Sequence, residues 1–153
     1  MDGLEDIIAS AERKCAQRGI RLTPRRKQVL RALVCSESAI SAYELADFCN
    51  QETDEPMPTM SVYRILEFLQ RERLAHKLET ENKYIACSHI RCEHEHRKSQ
   101  FLICSGCHKV EELDISGEAL NAMEIAADAA GFKLTNPHFE FSGVCNDCVM
   151  GAS

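Results

Sequence analysis

No stretch of this 153-residue chain approaches the roughly 20 consecutive apolar residues of a membrane span, which excludes insertion. The N-terminus, "MDGLEDIIAS", opens with acids and has no basic n-region. That argues against a secretory signal and for a cytoplasmic protein. No internal repeat or low-complexity tract interrupts the sequence. No His-Glu-x-x-His stretch occurs, so nothing signals the open zinc site of a hydrolase. Acids are missing from one long segment: Arg13 to Arg31 holds eight basic residues and no Asp or Glu.

Nine cysteines are present, an odd number that cannot pair completely. In a reducing compartment most would be thiols or metal ligands. The formal net charge of -6 argues weakly against a nucleic-acid partner, but its distribution says more. Residues 1–85 carry 13 basic and 14 acidic side chains, net -1, and residues 86–153 carry 5 and 10, net -5. Any phosphate-binding face therefore lies in the first half.

The periodicity predicts a helix over about 3–18, with Leu4, Ile7, Ile8 and Ala11 at helical spacing and Gly19 as its stop. In "RLTPRRKQVLRALVC", Thr23 suits an N-cap and Pro24 the first helical position. "SAYE" at 41–44 matches a capping box opening a short third helix. "NQETDEPMP" reads as a loop. "TMSVYRILEFLQRE", 59–72, carries an apolar stripe of Val62, Ile65, Leu66 and Leu69. "LAHKLETENKYIAC", 74–87, changes period and reads as a hairpin about Thr80–Asn82.

Three helices and a hairpin predict a winged helix-turn-helix over residues 1–87, with 59–72 as the recognition helix. Tyr63 and Arg64 lie in its first turns, off the apolar stripe. Arg64 can reach a guanine or a phosphate, and Tyr63 can stack on a base or bond a phosphate. Residues 88–153 read as a small α/β domain: strands at about 99–104 and 109–113, a helix at 116–131, and a strand at 133–142 that ends the regular structure. The fold class is α+β.

Two Cys-x-x-Cys pairs, in "FLICSGCHKVEEL" and "GVCNDCV", have 37 residues between them. Each tight turn holds two thiolates at the spacing tetrahedral zinc needs, and two turns close the shell. Cys104, Cys107, Cys145 and Cys148 are therefore expected to form a structural zinc site. Such a site contributes about 10 kcal/mol to folding in the lower range for structural zinc. A thioredoxin-like centre would need one pair opening a helix after a strand, and neither pair fits.

His76, Cys87, His89, Cys92, His94, His96 and Glu112 remain as candidate ligands. A set such as His76, Cys87, His94 or His96, and Glu112 would tie the hairpin to the second domain when metal binds. Thiolate with imidazole and carboxylate suits zinc better than iron or manganese. His108 and His138 read as surface or strand residues.

"RLTPRRKQVLRAL", "SVYRILEFL", "FLICSGCHKVEEL" and the closing "GVCNDC" resemble the ferric uptake regulator (Fur) superfamily of metal-dependent DNA-binding repressors. "ISAYELADF", "LAHKLETENKYIAC" and Cys87 resemble its zinc uptake regulator (Zur) branch. The match covers about residues 11–148. The resemblance implies a homodimer joined through the second domain. It implies binding to double-stranded operator DNA, an AT-rich palindrome, when zinc is replete, with repression of zinc-import genes by one or two dimers per operator.

Carried over by position, the four cysteines match the structural zinc site. His76, Cys87, His96 and Glu112 match the regulatory one, giving about two Zn2+ per subunit. Tyr43 and Arg64 match DNA-contacting positions, with Tyr63 beside them, Ser61 where a threonine is usual, and Arg25 in the basic run. His108 replaces the family's usual glycine. The alternatives are an iron, manganese or peroxide sensor of the same superfamily, a zinc hydrolase, and a zinc-stapled module that binds protein.

Overall fold

The computed structural model describes residues 2–36, 38–51, 54–91, 99–135 and 138–151. The chain divides into two compact units, Met1–Glu93 and His94–Ser153.

In the first unit, α1 (Asp2–Gln17) ends where Gly19 takes a left-handed φ of 72°. Ile20 N–H then bonds the Cys15 carbonyl at 2.9 Å, a closure that L-residues with a side chain resist and glycine permits. α2 (Pro24–Cys35) starts at Thr23, whose hydroxyl accepts from Arg26 N–H at 3.4 Å. α3 (Ala42–Asn50) starts at Ser41, whose hydroxyl accepts from Glu44 N–H at 3.1 Å. α4 (Thr59–Arg71) buries Val62, Leu66, Phe68 and Leu69 and only part of Ile65.

The hairpin follows as β1 (Ala75–Leu78) and β2 (Lys83–Ala86), antiparallel, with His76 opposite Ile85. Ile40 adds a two-bond bridge to Tyr84, so the wing is anchored just before α3. Val29, Leu30, Leu45, Val62, Leu66, Leu69 and Leu74 fill one core among these elements. The arrangement is a winged helix-turn-helix.

In the second unit, β3 (Ser99–Cys104) is central, with β4 (Val110–Asp114) antiparallel on one side and β5 (Glu140–Gly143) parallel on the other. α5 (Gly117–Ala129) half-buries Leu120, Met123 and Ala127, the expected stripe. Two expectations change. The strand expected over 133–142 is only the four residues Glu140–Gly143. Asn136 and Pro137, within that span, lie outside the described residues. Regular structure also does not end there: α6 (Asn146–Met150) follows Cys145. One helical turn brings residues three apart to the same side, which is what Cys145 and Cys148 require.

Among the described residues no helix is long and apolar enough to cross a membrane.

Candidate metal centres and nucleic-acid interface

Cys104 ends β3, Cys107 closes the turn after it, and Cys145 and Cys148 begin and lie within α6. The strand pairing explains their meeting: Cys104 is opposite Gly143, two residues before Cys145. The four sulfurs lie within 4.8 Å of one another. Cys107 Sγ and Cys145 Sγ are 3.7 Å apart. A disulfide would hold them at about 2.05 Å. Four thiolates at about 2.3 Å from a tetrahedral zinc have edges of about 3.8 Å. The separation fits a metal clamp and excludes a bridge.

Charge is arranged for the same purpose. Backbone N–H groups of Cys145 and Cys107 point at Cys104 Sγ, at 3.3 and 3.5 Å. These donors, that of Cys145 foremost, pull the Cys104 thiol down to about 5. Cys148 moves the other way, up to about 12, because it shares hydrogen bonds with the sulfurs of Cys145, Cys104 and Cys107. One thiolate made ready and three more thiols crowded around it form a site whose remaining protons a divalent cation would displace.

Two contributors carry no signal in ligand spacing. Gly106 leaves room for Cys148: a Cβ there would stand 3.0 Å from Cys148 Sγ. His108 adopts a left-handed φ of 63°, a conformation glycine takes without strain and histidine tolerates better than most residues.

The second candidate set starts in the first unit. Cys87 N–H bonds the Leu74 carbonyl at 2.9 Å, extending the hairpin by one residue. Opposite Leu74, Cys87 shares a sheet face with His76, its diagonal neighbour. Their ligand atoms come within 4.8 Å. Cys87 Sγ also accepts from His89 N–H at 3.4 Å. In the second unit Glu112 is central in β4, opposite Phe101. His96, like Cys92 and His94, lies outside the described residues.

On the helix-turn-helix, Tyr43 in the first turn of α3 and Tyr63 in α4 meet edge to face, centroids 6.3 Å apart. Tyr43 is 67% exposed. Arg64 is exposed, Ser61 is half-buried one turn before Ile65, and Arg25 is exposed in the first turn of α2.

The basic run behaves differently from its charge count. Lys14 bonds the His89 carbonyl at 3.2 Å, and Arg13 bonds Ser10 at 3.1 Å. Arg18 pairs with Glu72 at 3.1 Å, Lys27 with Glu12 at 2.9 Å and Arg31 with Glu5 at 3.2 Å. Arg26 lies 3.7 Å over the Phe68 ring and bonds the Arg21 carbonyl. Three of the eight, Arg26, Lys27 and Arg31, therefore fasten α4 and α1 to α2, and Arg18 ties the end of α1 to the end of α4. The side chains of Arg21 and Arg25 make no such bond among the described residues.

A model of the ferric uptake regulator family matches residues 17–148. The chain is 37% identical over 145 residues to the zinc uptake regulation protein of Escherichia coli K12, covering 95% of this chain and 82% of that one. It is similar to a zinc uptake regulator solved in complex with zinc and DNA, with 34% identity, 97% of each chain covered and a TM-score of 0.86. It is also similar to the holo form of XcZur, with 35% identity, 94% and 96% covered and a TM-score of 0.78.

Proposed function

The chain belongs to the ferric uptake regulator family, and from that premise we propose that it is a zinc-responsive transcriptional repressor. It binds operator DNA as a homodimer when zinc is replete and represses zinc-uptake genes. The observation that carries the effector is Cys87 beside His76 at the base of the wing. A thiolate with imidazole selects zinc, whereas iron and manganese sensors favour ligands without thiolate.

Cys104, Cys107, Cys145 and Cys148 would hold one zinc and His76, Cys87, His96 and Glu112 a second. When bound, zinc would supply a cross-link among the side chains that hold it. The chain's own residues do the rest. Cys104 offers a sulfur whose proton is more easily lost, because the backbone donors of Cys145 and Cys107 favour its thiolate. Arg64, Tyr63 and Ser61 on α4 face base edges in the major groove. Tyr43 and Arg25 contact the strand beside it.

Dimerisation through the second unit is supported by apolar side chains left open on it, Ile125 at 60%, Phe132 at 71% and Met150 at 88% exposure. The two recognition helices must then match half-sites one helical turn, about 34–36 Å, apart. The coupling is allosteric if zinc binds the DNA-competent arrangement more tightly, and DNA must then raise zinc affinity equally. The operator is an AT-rich palindrome that takes one or two dimers.

Fluorescence anisotropy of a labelled AT-rich palindromic duplex, with free zinc buffered from chelated to replete, tests this reading. Binding should appear as zinc rises. Binding driven instead by iron or manganese would move the protein to another branch, and none in any metal state would refute DNA repression through such an operator.

A further inference from the structure

The recognition helix starts without a side-chain cap. Pro58 is its N-cap residue and offers no capping side chain; only its carbonyl serves, accepting from Ser61 N–H at 2.9 Å and Val62 N–H at 3.2 Å. Something else must fix where α4 begins, because a helix end with unsatisfied donors frays. The residue just before Pro58 supplies the answer. Met57 is 3% exposed, its side chain sunk in the core. Its backbone is gripped at both ends by one side chain: Asn50 Oδ1 accepts from Met57 N–H at 2.6 Å, and Asn50 Nδ2 donates to the Met57 carbonyl at 2.9 Å.

A primary amide is the one side-chain group that offers a donor and an acceptor side by side, as a neighbouring strand's backbone does. Glutamine has the same group on a longer stem. Aspartate keeps the acceptor and sets a negative oxygen against the Met57 carbonyl.

Asn50 is the last residue of α3, whose first turn carries Tyr43. The neighbouring carbonyl, Cys49, accepts from Gln28 Nε2 of α2 at 2.9 Å. The end of α3 is thus tied backward to α2 and forward to the entrance of α4. Between Asn50 and Met57 the sequence "QETDEP" is polar and acidic. This amide joins the end of α3, which carries Tyr43, to the residue before Pro58, the N-cap of α4.

We propose that Asn50 is a positioning residue for DNA readout, which sets the entry of α4 by a two-point grip on the Met57 backbone. The inference rests on the reading of α4 as a recognition helix. Phosphate contacts tolerate small shifts, whereas base-edge hydrogen bonds do not. Loosening the grip should therefore reduce discrimination between sequences more than it reduces attraction to duplex.

The test uses the full chain loaded with zinc. The wild-type protein first selects a duplex from a random library, and a scrambled duplex of equal length serves as the non-specific probe. Asn50→Ala and Asn50→Asp should each lower affinity for the selected duplex by about tenfold or more, the scale of a lost bidentate base contact. Affinity for the scrambled duplex, its salt slope and the zinc content should change less than about twofold, since those follow phosphate charge. Hydrogen exchange gives a second readout that needs no DNA: amides of Ser61 and Val62 should lose protection while those of Val29 to Leu33 keep theirs.

An unchanged ratio of selected to scrambled affinity would overturn the proposal. So would loss of protection throughout the first unit, which would make Asn50 a general fold residue. A wild-type protein that selects no duplex with zinc bound would overturn the repressor reading itself, and the role of Asn50 with it.

Discussion

Replacing Gly106 with alanine should weaken zinc binding at the four-cysteine cluster by about 10- to 100-fold, the cost of disturbing the groups that set a metal's ligands. The new methyl carbon would stand 3.0 Å from Cys148 Sγ and 3.4 Å from Cys148 Cβ. Ordinary non-bonded carbon contacts begin at about 3.5 Å, so the sulfur must retreat by about 0.5 Å. Ligand distances in a zinc site tolerate about 0.2 Å. Such a retreat would carry the Cys148 sulfur away from a cluster whose four ligand atoms now lie within 4.8 Å of one another.

The zinc-free protein is less constrained, since the Cys148 side chain can turn away, so its stability should change little. Gly143→Ala is the control, because a Cβ there meets nothing within 4 Å. Competition with a chromophoric chelator measures zinc affinity for all three proteins. A Gly106→Ala affinity within about twofold of wild type would refute the packing argument, and with it the claim that Cys148 is a ligand held against this turn.

Cys87→Ser should abolish zinc-dependent DNA binding and leave a folded dimer with one zinc per subunit; an unfolded variant by circular dichroism would remove Cys87 from the second site. Arg64→Ala should cost about 1–3 kcal/mol of operator binding with zinc content unchanged. Arg26→Ala should instead cost about 0.5–1 kcal/mol of stability in urea, through its lost contact with Phe68.

A further prediction concerns pH. The Cys104 thiol is held at about 5 by N–H groups of Cys145 and Cys107, far below the about 8.5 of a free thiol. Its ionised form thus stabilises the folded unit above the free-thiol value, and that contribution is lost as pH falls through about 5. Ultraviolet thiolate absorbance of the zinc-free protein should persist at neutral pH and vanish through that range. Its absence at neutral pH would show that the backbone donors do not act on Cys104.

The helix order, the caps at Thr23 and Ser41 and the two Cys-x-x-Cys turns were legible in the sequence because each is a local rule. A cap needs a side chain two or three residues from its partner, and a zinc knuckle needs two thiols three apart. The positions of Tyr63 and Arg64 on the recognition helix followed from helical periodicity in the same way, whereas Tyr43 was named only by the family resemblance. What sequence could not decide were properties set by distant partners. Eight basic residues without an acid placed any phosphate-binding face in the first half of the chain. Yet Glu5, Glu12 and Glu72 come from elsewhere in the chain to neutralise three of them, because charge pairing depends on distance in space.

The expected long strand shrank to Glu140–Gly143 because pairing with β3, and not local β-propensity, sets its length. The space that Gly106 leaves for Cys148, and the grip of Asn50 on Met57, likewise exist only once the fold brings them together. Sequence determined which residues could bind zinc and DNA. Tertiary structure decided which charges stay open and how closely the sulfurs pack, since those are contacts between segments that no local pattern encodes.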